Sequence, residues 1–204
     1  MVGGVDSDFE LLDKWRAGEK AAGQELLERH FDTLCGFFES KLDRDADDLV
    51  QRTMLACVAS KDRFRKESSF RTYMFTVARN ELFHYLQARR RDGGRLDFSI
   101  TSVAEILTTP ASRMIKDAEK LRVVEALQRL PVEQQTLLEL FYWQELDIEA
   151  ISEVFEIEPG ATRVRLHRAR KKLRELLELP EEADEAQVLE TAGKAKNVAA
   201  GRNK

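Results

Sequence analysis

The sequence has little glycine and proline, with 10 and 4 residues among 204. Because both are common in the tight turns of all-β proteins, their scarcity argues against a sandwich or a barrel. Only two cysteines occur, Cys35 and Cys57, and neither has a second Cys or His at metal-ligand spacing. They fit buried thiols in a reducing compartment. The composition therefore favours an all-α protein without a metal site.

Apolar stretches of membrane-spanning length are also missing. No run approaches the ~18 apolar residues that a transmembrane helix needs, and residues 1–15 lack the basic and apolar regions of a signal peptide. We therefore expect a cytoplasmic protein with no membrane insertion. The sequence contains no Gly-rich phosphate loop, no paired nucleophile and base, and no metal constellation, which argues against an enzyme and gives no reason to expect a cofactor.

Charge, in contrast, is plentiful and strongly segregated. Charged residues make up 34% of the chain, yet the formal net charge is only −4. Basic residues concentrate in 89–95 and 163–174, and acidic residues in 43–48 and 181–190. Because local charge governs a binding surface, the two basic segments are candidates for contact with nucleic acid.

Helical apolar spacing occupies two parts of the chain, 8–91 and 118–179. The stretch between them has no sustained periodicity, except for a short helix expected at Val103–Leu107, and it is longer than a loop inside one compact domain. We predict two small helical domains, residues 1–91 and 118–179, joined by a flexible linker at 92–117. A partly disordered extension is expected at 180–204.

A helix-turn-helix is the strongest local pattern. Asp147 is a good N-cap for a helix at Ile148–Phe155, and a brief connector leads to a long basic helix from about Gly160. In helix-turn-helix proteins the second helix enters the DNA major groove. An ordinary helical hairpin with a solvated basic face is the alternative. Glu156 stands in the turn where glycine is frequent, and a left-handed conformation there would cost about 1 kcal/mol.

Two features mark the N-terminal unit. The segment 45–53, which contains the end of the acidic run, starts a helix whose Asp48, Gln51 and Arg52 point outward, although a solvated helix start explains it equally well. The segment 63–80 interleaves basic and aromatic residues, as surfaces that bind single-stranded nucleic acid do. Most of these aromatics share one helical face, however, and are expected in the core.

Together these segments resemble the extracytoplasmic-function (ECF) branch of the sigma-70 family of bacterial RNA polymerase sigma subunits. DADDLVQ at 45–51 resembles the family's DAEDLVQ helix, and RFRKESSFRTYMFTVARN at 63–80 resembles its FRGEASFRTWLYRIARN segment. The stretch 127–179, with RLHRARKKL at 165–173, resembles its C-terminal module. The resemblance implies sigma domain 2 at 1–91 and sigma domain 4 at 118–179, in a non-catalytic subunit that directs promoter-specific initiation.

The resemblance also implies partners and residue roles. Core RNA polymerase would be bound through its β′ clamp helices and its β flap, the clamp helices by Asp45, Asp48, Leu49, Gln51 and Arg52. The promoter −10 element would be read and melted by Arg65, Lys66, Glu67, Ser68, Ser69, Arg71, Arg79, Asn80, Arg89, Arg90 and Arg91, with a flipped base held by the loop 65–69. The −35 element would be read by Thr162, Arg163, Val164, Arg165, His167, Arg168 and Lys171. The linker would thread the polymerase cleft, and an anti-sigma factor is a further partner that the resemblance allows.

Some positions depart from the family pattern. Lys66 stands where glycine is frequent, Tyr73 replaces a usual tryptophan, and Val164 replaces a frequent serine. Two alternatives stay open: a helix-turn-helix repressor or activator that dimerises on a palindromic site, and a small enzyme. The first lacks a clear dimer stripe in 1–91, and the second lacks any catalytic constellation.

Overall fold

The computed structural model describes residues 7–42, 45–89, 94–107 and 118–177. Within these ranges the chain forms helices and no strand, which confirms the all-α prediction. The helices are α1 (Asp8–Arg16), α2 (Lys20–Glu39), α3 (Ala46–Ser60), α4 (Phe70–Arg89), α5 (Val103–Ile106), α6 (Ala118–Gln128), α7 (Val132–Tyr142), α8 (Ile148–Phe155) and α9 (Pro159–Leu177). The predicted extension at 180–204 lies outside the described residues.

Local capping explains where several helices begin. Ser7 and Glu10 form a reciprocal capping box at the start of α1. The Asp147 carboxylate accepts the Ala150 N–H at 2.7 Å, which confirms it as the cap of α8. Asp45 occupies the corresponding position before α3, but its side chain makes no capping hydrogen bond. Its carboxylate instead contacts Tyr85 and Arg89 of α4.

Helices α1–α4 enclose the first part of the core. Leu26, Phe37, Phe70 and Met74 lie in this core with almost no exposed surface. Gly23 allows α1 to lie close to α2, since a Cβ atom there would stand 2.5 Å from the Trp15 ring. Helices α6–α9 enclose the second part, where α9 packs on α6, α7 and α8.

The two helical units are in contact, with α8 lying against α4. The linker, predicted to be flexible, is packed in its described part, 94–107. The Phe98 ring stacks on Phe83 with centroids 4.3 Å apart, and the Thr101 carbonyl accepts the Val132 N–H at 2.9 Å. The expected short helix in this segment is confirmed as α5, in which Val103 is fully buried. The segment is held by ring stacking on α4 and by backbone hydrogen bonds from Val132 and Glu133 at the start of α7.

Candidate nucleic-acid interface

The helix-turn-helix is formed by α8 and α9. Glu156, between them, adopts the left-handed conformation, with φ 55° and ψ 44°. The left-handed conformation is therefore held by a non-glycine residue in this turn. The Ser152 and Thr162 hydroxyls lie 2.8 Å apart and hydrogen-bond in the interior, which ties α8 to the first turn of α9.

The outer face of α9 is exposed and basic. Arg163, His167, Arg168 and Lys171 are all exposed, and Val164 is 50% exposed among them. This is the set of side chains that a major-groove helix would present to bases and phosphates.

Two of the predicted −35 residues do not lie freely on this face. Thr162 is 0% exposed, and its hydroxyl holds the helix-turn-helix together, so its side chain does not lie on the face that DNA would contact. Arg165 is half-buried and ion-paired with Glu133 of α7.

A second exposed surface lies on α3. Asp48, Gln51 and Arg52 are exposed, and Arg52 pairs with Asp48 at 2.9 Å. Leu49, predicted for the same contact, is 0% exposed and points into the core, not onto this surface.

Sequence reasoning missed two apolar members of this surface. Leu55 is 66% exposed and Val58 is 39% exposed. Leu55 follows Gln51 by four residues, so helical spacing alone could have placed both on one face. We name Asp48, Gln51, Arg52, Leu55 and Val58 the α3 surface.

Asp45 connects helix α3, which carries the predicted polymerase contacts, with Arg89, which is a predicted DNA contact. Its carboxylate accepts the Tyr85 hydroxyl at 2.5 Å and pairs with Arg89 at 2.7 Å. Burial and the hydrogen bond to Asp45 raise the pKa of Tyr85 to about 12, so the phenol stays protonated as a donor. Asp45 therefore joins α3 to the end of α4. Arg90 and Arg91 lie outside the described residues.

The loop 65–69 precedes α4. Lys66 adopts a positive φ of 59°. Glycine enters this conformation freely, so the loop has a glycine-like backbone at a position occupied by lysine. Arg65 and Glu67 are exposed and paired at 3.1 Å. Ser68 is half-buried, and exposed Ser69 caps α4 by accepting the Thr72 N–H at 3.0 Å.

The predicted DNA-binding residues of α4 lie partly beneath the second domain. The Arg79 guanidinium lies 5.4 Å from the Phe155 ring of α8 and donates to Asn80 Oδ1 at 2.8 Å. Arg71 donates to Gln144 Oε1 at 3.1 Å. Burial lowers the pKa of both Arg71 and Arg79. Arg71 and Arg79 are thus covered, whereas the loop and the α9 face remain open.

The described ranges lack two further features. They contain no group of three or more His, Cys, Asp or Glu placed to hold a metal ion. Their helices include none that is long and apolar enough to cross a membrane.

Comparison with known proteins is decisive. The model of Sigma-70 region 2 matches residues 26–92, and that of Sigma-70, region 4 matches residues 120–173. The ECF RNA polymerase sigma factor EcfG of Rhodopseudomonas palustris is 31% identical over 132 residues, covering 65% of this chain and 71% of that protein. The chain belongs to the ECF branch of the sigma-70 family. The RNA polymerase sigma factor CarQ of Myxococcus xanthus is 29% identical over 171 residues, 81% of this chain and 95% of that protein.

Two solved structures share this fold. The sigma factor RpoE of Bartonella quintana, in complex with the anti-sigma factor NepR, aligns with a TM-score of 0.59 and 25% identity, covering 78% of this chain and 98% of that one. The structure of CnrH with the cytosolic domain of CnrY aligns with a TM-score of 0.63 and 24% identity, covering 85% and 98%. At 24% identity, the similarity to CnrH supports the shared fold and no statement about function.

Proposed function

We propose that this sigma factor binds core RNA polymerase, reads the −10 element with residues 1–91 and reads the −35 element with the helix-turn-helix at 118–179. The observation that carries the proposal is the exposed basic face of α9 in a helix-turn-helix that shares its chain with the α3 surface. A sigma factor needs both, one for DNA and one for the polymerase. It acts as a non-catalytic subunit in the cytoplasm, where polymerase and promoter are found.

The α3 surface is the proposed contact for the β′ clamp helices. It combines the Asp48–Arg52 pair with exposed Leu55 and Val58. Exposed apolar side chains rimmed by polar ones are typical of protein interaction sites. Asp45 would act indirectly, by fixing the start of α3 to Arg89. The β flap is the proposed partner of domain 4.

At the −35 element, α9 would lie in the major groove. Arg163, His167 and Arg168 are exposed near its N-terminal half, where base edges are read, and Lys171 lies farther along for phosphate contact. Val164 cannot donate a hydrogen bond as a serine would. Its exposed methyl groups are suited to apolar contact with a thymine methyl group instead.

At the −10 element, the loop 65–69 would receive a flipped base, and Arg71, Arg79, Asn80 and Arg89 would contact the strand. Because α8 covers Arg79 and Gln144 holds Arg71, the domains have to separate before these side chains reach DNA. Polymerase would hold them apart at promoter spacing. This supports weak promoter binding by the free chain, because its domains are not preorganised for DNA.

An anti-sigma factor is proposed as a further partner. RpoE of Bartonella quintana, at 25% identity, was solved with the anti-sigma factor NepR. This chain is proposed to be controlled in the same manner.

The proposal is tested by adding the chain to bacterial core polymerase and genomic DNA and sequencing transcript 5′ ends. We expect defined start sites that share upstream −10 and −35 motifs. Asp48→Arg should abolish these start sites. The charge reversal Glu28→Arg, at an exposed position of α2, should leave them unchanged. Failure to bind core polymerase, together with tight binding of the free chain to a palindromic duplex, would favour a stand-alone repressor.

A further inference from the structure

Helix α1 contacts the loop 65–69 and holds it in place. This helix precedes residues 26–92, the part of the chain that matches Sigma-70 region 2. The Arg16 guanidinium donates from Nε and Nη2 to the Lys61 carbonyl at 2.9 and 2.5 Å, and Nη2 also reaches the Phe64 carbonyl. Both carbonyls belong to the segment that leads into the loop. Hydrogen bonds from a charged donor are about twice as strong as neutral ones, so this end of the loop is firmly attached to α1.

The middle of the loop is attached to the same helix. The Lys66 ammonium lies 2.5 and 2.6 Å from the two carboxylate oxygens of Asp13. It also lies 5.4 Å from the centroid of the Phe9 ring, within the range of a cation–π contact. Phe9 is 38% exposed, so its ring is available for this contact at the surface.

The backbone at Lys66 shows why a side-chain tether matters. Its φ of 59° lies in the left-handed region, which disfavours residues with a Cβ atom. Glycine would enter this conformation at no steric cost but would have no side chain to reach Asp13. Lysine keeps the glycine-like backbone and adds an ion pair that favours one loop shape over others.

We propose that Asp13 and Lys66 are positioning residues that determine how strictly the −10 base is selected, with Arg16 fixing the start of the loop. The inference rests on the proposed function, in which the loop 65–69 receives a flipped base. A pocket discriminates between bases only while its polar groups are held in place. A loop released from α1 would accept more bases at the same position.

The test uses holoenzyme reconstituted from core polymerase and the full chain. Templates carry a fixed −35 element and a randomised −10 element, and sequencing the transcripts gives the base preference at each position. Core polymerase affinity is measured in parallel. The variants are Lys66→Gly, Asp13→Asn and their combination, with Lys66→Arg as the conservative replacement. The matched control is Asp62→Asn, which removes an exposed carboxylate beside the loop that pairs with Lys61 and not with Lys66.

We expect Lys66→Gly and Asp13→Asn each to weaken the preference at one −10 position by about two- to fivefold, the range of an exposed ion pair. The combination should weaken it no further, because both variants remove the same contact. Lys66→Arg and Asp62→Asn should keep the wild-type preference, and core affinity should stay unchanged throughout.

Three results would overturn the inference. Unchanged base preference in Lys66→Gly and Asp13→Asn would show that the tether does not act on selection. A uniform fall in transcription from all −10 sequences, with weaker core binding, would show a purely structural role. If the wild-type chain itself fails to bind core polymerase or shows no −10 preference, both the inference and the proposed function are refuted. In the first two results, by contrast, the wild-type chain selects normally, so only the inference fails.

Discussion

Substitution of Glu139 by glutamine is predicted to separate the two domains. Lys41, just after α2, and Glu139, on α7, form an ion pair in which the side chains are 0% and 1% exposed. Ser40 Oγ and Gln135 Nε2 donate to the same carboxylate at 3.1 and 3.0 Å. We call this contact, with α8 on α4, the closed arrangement.

The magnitude follows from the burial of the pair. Burial lowers the pKa of Lys41, and Glu139 opposes that shift as its counter-charge. Removing one partner of a buried ion pair typically costs about 3–5 kcal/mol, because the other charge is left without compensation. Since the partners lie in different domains, separation returns Lys41 to water and avoids this penalty. We therefore expect Glu139→Gln to shift the balance toward separated domains about a hundredfold to several thousandfold.

The control removes both charges. Lys41→Met combined with Glu139→Gln leaves no uncompensated buried charge, which is the source of the penalty in Glu139→Gln alone. The double variant should therefore recover most of the closed arrangement. Glu139→Gln alone should not.

The assay is a distance measurement between labels on cysteines introduced at exposed Glu28 of α2 and Lys172 of α9. Both native cysteines are buried, and burial raises the pKa of Cys57 to about 12, so labelling at neutral pH is directed to the new sites. Wild type should give one short, narrow distance distribution, and Glu139→Gln a long, broad one. An unchanged distance in Glu139→Gln with a lowered melting temperature would refute the reasoning, because the penalty would then fall on the fold rather than on the domain contact.

Two further substitutions test other parts of the structure. Leu55→Asp should weaken core polymerase binding about ten- to a hundredfold, which corresponds to the free energy of burying a leucine side chain. Phe31→Asp, at another exposed apolar position, should leave the affinity for core polymerase unchanged in the same titration. Equal losses of affinity in the two variants would argue against the α3 surface as the contact. Glu156→Gly should raise the free energy of unfolding by about 0.5–1 kcal/mol, because glycine enters the left-handed region without strain. Glu153→Gly, inside α8, should lower the free energy of unfolding by about 1 kcal/mol. Both variants are measured by denaturant titration, and a change of the same sign in both would contradict backbone strain at Glu156.

The helices could be predicted from the sequence because their signals are local. Asp147 caps α8 as expected, and Pro131 separates α6 from α7. Two predicted site residues, Leu49 and Thr162, are buried, and the sequence did not show this for a common reason. A family motif gives a position along a helix, whereas burial depends on the side of the helix that faces the core.

The contacts on which these proposals rest are long-range, and the sequence contained no signal for them. Lys41 and Glu139 are 98 residues apart, and Lys66 and Asp13 are 53 apart. Nothing in the local pattern around Arg79 indicated that Phe155 would cover it. Individual charges give no indication of their partner until the helices are placed in three dimensions.

The polar character of the domain contact suits a sigma factor that has to open. Ser40, Lys41, Gln135 and Glu139 lie at or beside the contact, where a permanent interface would bury apolar side chains. Gln135 Oε1 has no hydrogen-bond partner among the described residues, and a buried unsatisfied group of this kind costs about 1–3 kcal/mol. These groups regain water when the domains separate, which narrows the difference in free energy between the two arrangements. Shifting a two-state balance from 99:1 to 1:99 takes about 5.5 kcal/mol of differential binding, and a nanomolar partner supplies about 12 kcal/mol in total. Core polymerase therefore needs to direct only about half of such a binding energy to the open arrangement in order to expose Arg71 and Arg79.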